Sequence, residues 1–173
     1  MICKVTERGM KMIFYDESSI MFESKEHYYF YFEKIGKLNP DAYLKALIYT
    51  VGICPDTRRR WSEFYDEADR SIRLEVINEG WQTSTSYKLT RLAFQLYTDG
   101  TPTAVSFDEK DNQTEDFKEC SRYSVSDIFC CEYAPFFVEA IKIRYPEYFS
   151  KRNVYTEQKR LAEQLQAKED KEE

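Results

Sequence analysis

No stretch of the 173 residues approaches the roughly 20 consecutive apolar residues that a membrane-spanning helix needs, and the first residues lack the apolar run of a signal peptide. We therefore expect no membrane association and a cytoplasmic location. The sequence also contains no Walker A, GxGxxG or EF-hand pattern, no nucleophile elbow and no internal repeat. These absences remove the common signatures of nucleotide and calcium binding and of serine hydrolases.

Histidine and paired cysteines are also scarce. His27 is the only histidine, and the cysteines are odd in number with no CxxC spacing. A Cys–His nucleophile pair or a zinc site would need His27 to meet several thiols in space, and adjacent cysteines on a helix point apart. We therefore expect a half-buried helix histidine, buried free thiols in a reducing compartment, and no catalytic residue, metal or cofactor. The cysteines are Cys3, Cys54, Cys120, Cys130 and Cys131.

Basic residues are outnumbered, with 25 Lys and Arg against 31 Asp and Glu and a net charge of −6. A chain of this balance has no general electrostatic attraction to nucleic acid or to anionic membranes, so we expect no direct nucleic-acid binding. Residues 108–127 concentrate the acidity, with seven acids against three bases. Such a surface can simply keep the protein soluble, or it can imitate a phosphate backbone and block a DNA-binding protein.

A second acidic pattern lies on a predicted helix that begins at Pro55. Its three carboxylates follow each other at intervals of seven and four residues, so they share one face that could hold a divalent cation with a partner helix. The same carboxylates can instead form solvated ion pairs with neighbouring arginines, which is the interpretation we favour. The acids are Asp56, Glu63 and Glu67, and the arginines are Arg59, Arg60 and Arg70.

Aromatic residues are abundant, with 14 Tyr, 12 Phe and 2 Trp. The length fits one domain, and this composition favours a core built from rings; tyrosine-rich surfaces are also common in protein interfaces. We predict a mainly α fold: a compact helical domain over residues 1–150 with a minor β hairpin or small sheet, and a charged helical tail over residues 151–173. The expected core residues are Leu47, Trp61, Leu92, Phe94, Phe129, Phe137 and Ile141.

Hydrophobic periodicity and capping residues predict the first elements. A hairpin is expected over residues 11–22, with its turn at residues 16–19. Ser24 is expected to cap the first helix, and Asn39 to cap the second, with Pro40 at its first position. The second helix is predicted to bury a single stripe formed by Leu44, Leu47, Ile48 and Val51.

The remaining chain is predicted to be mostly helical. The third helix should bury Trp61, Phe64, Tyr65 and Ala68, and a short strand should follow over residues 72–77. Residues 101–117 are expected to form a long polar connection, in which residues 104–107 could be extended. Ser124 should cap a short apolar helix through Cys131. The next helix, over residues 133–145, is expected to be central. Its buried face should contain Ala134, Val138, Ile141 and Tyr145, widened by Phe136 and Phe137.

Residues 80–98 are the segment in which local chemistry best points to a ligand. A glycine and a tryptophan are followed by four hydroxyl residues and an amphipathic helix, and free N–H groups at a helix start attract anions. A pocket here could bind a phosphate or carboxylate, with the tryptophan stacking on a base or sugar. Alternatively, a hydroxyl caps the helix, the tryptophan fills the core and the arginines form surface ion pairs. The candidate residues are Arg59 or Arg60, Trp81, Gln82, Thr83, Ser84 and Arg91.

Several segments together resemble an uncharacterised bacterial domain family often met in Gram-positive bacteria and their mobile elements. The resemblance covers about residues 20–149, and it implies no activity or catalytic residue. A mobile-element setting implies an anti-defence or host-takeover role. The segments are residues 46–49 with 57–59, residues 79–83 with 91–94, and residues 127–131 with 133–137 and 143–148.

Three classes of function remain open at this point. The first, which we favour, is a non-catalytic interaction protein that binds a protein partner, such as an anti-defence or inhibitor protein of a mobile element. The second is a small-ligand or nucleotide-binding sensor that uses the region from Trp81 to Arg91. The third is a metal-dependent enzyme that uses the acidic faces. A homo-oligomer could also form through a tail helix over residues 154–167, whose apolar stripe is Val154, Leu161 and Leu165.

Overall fold

The chain begins in a small antiparallel sheet. The computed structural model describes residues 20–110 and 112–149, and the backbone of strands β1 (Ile2–Lys4) and β2 (Ile13–Tyr15). β2 pairs with β1 on one side and with β3 (Met21–Phe22) on the other, and Phe14 lies opposite Phe22. The predicted hairpin strands are therefore confirmed, whereas β1 was not foreseen; the predicted turn at residues 16–19 and the tail helix at 154–167 lie outside the described residues.

Helix α1 (Lys25–Leu38) begins at the predicted cap, because the Ser24 hydroxyl accepts a hydrogen bond from the His27 N–H at 3.1 Å. The prediction that Asn39 caps the next helix, with Pro40 at its first position, is wrong, because Pro40 precedes the cap. Asn39 ends α1 in a left-handed conformation with φ 44°, which asparagine tolerates better than most residues. The cap of the next helix is Asp41, whose carboxylate accepts from the Leu44 N–H at 2.9 Å.

Helix α2 (Ala42–Ile53) is the centre of the domain. Every residue from Ala46 to Ile53 is buried, whereas the sequence predicted burial along only one stripe of this helix. The reason is that α1, α5 (Ser84–Thr98) and α8 (Ala134–Arg144) all pack against α2 and together cover its whole circumference. A helix that is apolar all round belongs in the interior, and α2 has that composition.

The segment after α2 differs most from the prediction. Instead of one helix, the chain forms α3 (Pro55–Arg59) and α4 (Trp61–Phe64), then strands β4 (Tyr65–Asp66) and β5 (Ser71–Ile72) and a 3-10 helix at Leu74–Asn78. The helix ends at Phe64 because Tyr65 pairs with Ile72 across a turn in which the Asp66 carboxylate accepts backbone N–H groups. As a result Ala68 is exposed, and the predicted strand at 72–77 is largely a 3-10 helix.

Glu67 fixes this turn against α1. Its carboxylate accepts from Trp61 Nε1 at 2.8 Å and from Lys34 Nζ at 2.7 Å, and Lys37 completes the contact. The hydrogen bonds from the two lysines lower the pKa of Glu67 to about 2. The carboxylate therefore favours the folded state wherever it is ionised.

We expect Glu67→Gln to lower the free energy of unfolding by about 1 kcal/mol at neutral pH, because the site is partly open to solvent and its ion pairs are screened. The stabilisation by Glu67 is complete above its usual pKa of 4.5 and is lost as pH falls towards about 2, so the variant and the wild type should converge in acid. Urea unfolding measures the difference. Glu75→Gln, which removes the same charge from an exposed position, should leave stability unchanged.

The second half of the chain closes over α2. After α5 come a 3-10 turn at Pro102–Ala104, the hairpin of β6 (Val105–Phe107) and β7 (Gln113–Glu115), and the short helices α6 (Phe117–Ser121) and α7 (Val125–Ile128). Ser124 caps α7 as predicted, although α7 ends at Ile128 rather than at Cys131. The chain continues through α8 into α9 (Pro146–Phe149).

The core is aromatic and mainly helical, as the composition predicted. Five of the seven expected core residues are buried, and Phe129 and Ile141 are half-buried at its edge. The inward face of α8 is set by Phe136, Phe137 and Ala140, whereas Val138, which was expected to be buried, is 41% exposed. Among the residues that the structure describes, no helix combines the length and the apolar character that crossing a bilayer requires.

Candidate functional site

The hydroxyl residues at the start of α5 form a reciprocal cap. Thr83 Oγ1 accepts from the Ser86 N–H at 3.1 Å, and Ser86 Oγ accepts from the Thr83 N–H at 2.7 Å. This is a capping box in which serine replaces the usual acid. Ser84 is exposed, and no described contact holds its side chain in a fixed position. The hydroxyl groups of Thr83 and Ser86 therefore cap the helix, which is the structural alternative to a ligand-binding site that the sequence also allowed.

Trp81 lies beside this cap with its ring partly covered. Its indole N–H donates to Glu63 Oε2 at 2.9 Å, and its ring contacts Phe64. The Arg60 guanidinium stacks 4.8 Å from the ring centre. One ring face is thus occupied by a side chain of the protein itself, which leaves less of the indole for stacking on a ligand.

Gln82 and Arg60 carry polar atoms that the fold leaves unused. Gln82 Nε2 donates to the Val76 carbonyl and to Thr90 Oγ1, both at 3.1 Å. Its Oε1 atom and the Arg60 Nε atom are buried without a hydrogen-bond partner, and no other buried side-chain N or O atom in the described part of the chain shares this condition. Buried polar atoms are nearly always satisfied, so this corner is the best candidate for a small polar ligand.

Arg91 belongs to a different cluster. Its Nε donates to Glu119 Oε1 at 2.7 Å and its Nη2 to Glu119 Oε2 at 3.0 Å, a two-pronged pair that ties α5 to α6. Thr103 Oγ1 donates to the same carboxylate at 2.9 Å and lies 2.6 Å from the Tyr123 hydroxyl oxygen. The guanidinium is buried with its charge matched, so Arg91 acts as a structural cross-link.

The structure therefore brings together only part of the predicted pocket. Arg60 stacks on Trp81, the chain neighbour of Gln82, whereas Arg59 is exposed on α3 and pairs with Asp56. The pairing of Arg91 with Glu119 leaves no signal in the sequence, because Glu119 lies 28 residues away on a helix too short to show periodicity. The carboxylates proposed to share a cation face have separate partners: Asp56 binds Arg59, Glu63 binds Trp81, and Glu67 binds lysines of α1.

His27 is fully buried, rather than half-buried as predicted. Its Nε2 donates to the Tyr49 carbonyl at 2.8 Å, while Nδ1 accepts from the Glu23 N–H at 3.3 Å, so both ring nitrogens bind backbone groups. Burial lowers the pKa of His27 to about 3; the hydrogen bond to Tyr49 opposes this shift, and the charge of Arg58 adds to it. His27 is a neutral link between α1 and α2.

Acidification should reveal this buried histidine as a loss of stability. An unfolded histidine gains a proton below its usual pKa of 6.5, whereas folded His27 stays neutral down to a pKa of about 3. The free energy of unfolding should therefore fall by about 2 kcal/mol between pH 7.5 and pH 5, a window above the titration of most carboxylates. Urea unfolding at several pH values measures the slope. His27→Gln should abolish most of the slope, whatever its own stability at neutral pH.

Arg144 is a second buried cation, and sequence analysis did not single it out. Its Nε donates to the Leu96 carbonyl at 2.9 Å, and its Nη2 contacts both carboxylate oxygens of Asp99. The rings of Tyr43 and Tyr145 stack on the guanidinium. The cation thus caps the carboxyl end of α5, where the helix dipole favours positive charge, and joins it to α8.

Metal ligands do not converge in the described ranges 20–110 and 112–149, where no group of three or more His, Cys, Asp and Glu side chains could hold an ion. Cys54, Cys120 and Cys131 are half-buried free thiols, and Cys130 is exposed; Cys3 lies outside the residues whose side chains are described. The proposed zinc ligand His27 has both nitrogens engaged, so it cannot join the thiols without rearrangement.

The most unusual surface lies in the acidic segment, which we define as residues 105–119. Asp108 shapes its turn, because the Asp108 carboxylate accepts from the Lys110 and Asn112 N–H groups at 2.8 and 2.9 Å. Two phenylalanines of this segment have little cover: Phe107, the last residue of β6, is 66% exposed, and Phe117, the first residue of α6, is 81% exposed. The sequence signalled the acidity of this region but not the exposure of its rings.

Comparison with known protein families identifies the family of this chain. A family model with the description "Family of unknown function (DUF6075)" matches residues 17–157, which is most of the chain. The match extends beyond both ends of the resemblance inferred from the sequence. No curated protein and no solved structure matches the chain. The chain therefore belongs to this family of unknown function.

Proposed function

We propose that this protein is a non-catalytic binding protein that docks on a partner protein through the acidic segment. The observation that carries the proposal is the high exposure of Phe107 and Phe117 in a fold that buries or half-buries most of its described rings. An apolar ring in contact with water is stabilised when a partner covers it, and aromatic residues commonly supply the affinity of protein interfaces.

Charge indicates the chemistry of the partner. Residues 105–119 contain six acids and two bases, so the rings stand in a field of negative charge. A complementary surface would be basic and would contain apolar pockets for the rings. We propose such a basic protein surface as the partner. Acidic side chains that imitate a phosphate backbone would fit a nucleic-acid-binding protein, which agrees with the alternative left open by the sequence.

The acidic segment is held in a defined conformation, which favours binding. The Asp116 N–H donates to the Ala104 carbonyl at 2.8 Å, and Glu119 is fixed by Arg91 and Thr103. Phe117 therefore lies between two residues, Asp116 and Glu119, that are each held by hydrogen bonds to other parts of the fold. A surface that is ordered before binding loses less conformational entropy when it meets its partner.

We also propose where the protein acts and which kind of machinery supplies its partner. Free half-buried thiols suit a reducing compartment, so we propose a cytoplasmic location. The mobile-element setting of the family that the sequence resembles favours a partner from bacterial defence or replication machinery. In that case the protein would act as an inhibitor by covering the basic surface of its target.

Co-purification from a lysate of the native host, followed by mass spectrometry, tests the proposal. Wild-type protein should retain a basic protein at physiological salt and lose it at high salt, because exposed charges are screened. The variant Phe107→Ser/Phe117→Ser should lose the same protein without a change in unfolding temperature, since both rings are exposed. The matched control is Tyr29→Ser, which removes an exposed ring from α1 and should retain the partner.

Two outcomes would contradict the proposal. One is the absence of any retained protein at physiological salt. The other is equal retention by the wild type, the double phenylalanine variant and the α1 control, which would show that the acidic segment does not contact the partner.

A second candidate function is a small-ligand or nucleotide sensor at the corner formed by Arg60, Trp81 and Gln82. The unpartnered Arg60 Nε and Gln82 Oε1 atoms favour it, because a ligand that displaced the side chains covering them would find one unused donor and one unused acceptor. Nucleotides at millimolar concentration should then raise the unfolding temperature by mass action. Arg60→Ala should remove that shift and the exposed neighbour Arg59→Ala should keep it; no shift with the wild type would exclude the candidate.

A further inference from the structure

The helices α5, α7 and α8 leave an open groove of about 460 Å³ between them. Its walls are mostly apolar, and the only acidic residue that lines it is Asp99. The groove is separate from residues 105–119, so what it binds does not depend on the proposed function. Its main apolar lining residues are Leu92, Leu96, Ile128, Phe129, Ile141 and Tyr145.

The groove is continuous with the hydrophobic core, but some of the side chains that line it are only partly buried. Phe129 and Ile141, both expected in the core, line it and remain only half-buried. Val125 stands at its edge and is 74% exposed. An apolar groove continuous with the core is stabilised when another apolar surface covers it.

The position of the chain after α9 points to the occupant. Tyr145 lines the groove, and the last described residue, Phe149, follows it by four positions. Residues 150–153 can span up to about 14 Å, so the chain beyond them can reach the groove from where α9 ends. The family model also matches the chain as far as residue 157, so the first residues after Phe149 belong to the family domain.

The sequence of that chain segment suits the groove. Residues 154–167 have the periodicity of an amphipathic helix about 20 Å long, with an apolar stripe of Val154, Leu161 and Leu165. A stripe this narrow needs a groove rather than a flat surface to bury its side chains.

We propose that residues 154–167 form a helix that docks into the groove of the same chain, with Leu161 and Leu165 on its floor. Docking within one chain is favoured over pairing between copies, because a short connection gives an effective concentration in the millimolar range. The docked helix would complete the core around Phe129 and Ile141.

Hydrogen–deuterium exchange of the full-length protein tests this proposal. Amides of residues 154–167 should exchange at least about tenfold more slowly than in an unstructured peptide, because a docked helix must open before it exchanges. The variant Leu161→Asp/Leu165→Asp should abolish that protection and should also accelerate exchange in α7. The matched control is Thr156→Asp/Ala167→Asp, which adds the same charge to the opposite face of the predicted helix and should preserve the protection.

Light scattering of the same samples separates docking within a chain from docking between copies. A monomeric wild type with a protected tail at every concentration supports the proposal. Fast exchange over residues 154–167 in the wild type would overturn it. A dimer that Leu161→Asp/Leu165→Asp dissociates, with protection that rises with concentration, would also overturn it and would assign the groove to a second copy. Protection that appears only with an added partner protein would assign the groove to that partner.

Discussion

Arg91→Met is expected to lower the free energy of unfolding by about 3–5 kcal/mol, the range found when one member of a buried ion pair is removed. The Arg91 guanidinium makes two short hydrogen bonds to Glu119, and both side chains are largely shielded from water. The variant would leave the Glu119 carboxylate with only Thr103 and the exposed edge of Arg122 as partners. Urea unfolding at neutral pH measures the loss.

The double variant Arg91→Met/Glu119→Met separates the pair from its individual charges. Replacing both members by apolar side chains removes the uncompensated carboxylate, so most of the lost stability should return. Unfolding of Arg91→Met at the same urea concentration as the wild type would contradict the structural role. It would also return Arg91 to the set of possible ligand-binding residues.

Gly52→Ala is expected to lower the free energy of unfolding by about 1–3 kcal/mol, although alanine is the better helix former. A Cβ atom at this position of α2 would lie 2.7 Å from His27 Cδ2 and 2.9 Å from Phe30 Cδ1. The His27 ring is held by backbone hydrogen bonds on both nitrogens, so it cannot move aside without breaking one of them. The added methyl group would therefore push α1 away from α2.

Gly36→Ala is the matched control for this overpacking. Gly36 is also within a helix, α1, but a Cβ atom there would meet nothing within 4 Å. The substitution should therefore stabilise the protein by about 0.5–1 kcal/mol through helix propensity alone. Thermal unfolding of the two variants should give shifts of opposite sign; a gain of stability in both would show that α1 and α2 do not pack as closely as described.

Elements that depend on local chemistry could be predicted from the sequence. Ser24 and Thr83 cap their helices, and Ser124 caps α7, because a hydroxyl reaches a backbone N–H three residues on wherever it lies in the fold. The predictions of secondary structure and burial were wrong where a contact between residues farther apart in the sequence determines the conformation. Tyr65 leaves a helical pattern because it pairs with Ile72. The central position of α2 depends on three helices that no pattern within α2 specifies.

The candidate site was harder to predict, because its chemistry is decided by partners far along the chain. His27 binds the carbonyl of Tyr49, 22 residues away, and Arg144 binds Asp99, 45 residues away. Spacing along the sequence carries no signal for such pairs. For the same reason the sequence suggested a ligand-binding role for Arg91, a side chain that the fold uses to join α5 to α6. The exposure of Phe117, by contrast, depends on how α6 packs against the rest of the domain. The composition of α6 does not indicate this packing.

In this protein the polar side chains with the most reactive chemistry hold the helices together. Nuclear magnetic resonance titration of His27 is a sharp test of this role, because a chain with one histidine gives one imidazole signal. We predict a neutral ring with its proton on Nε2 and no protonation from about pH 8 down to about pH 5. A midpoint near the ordinary pKa of 6.5, or a change in the signal on adding zinc or a thiol reagent, would contradict the account.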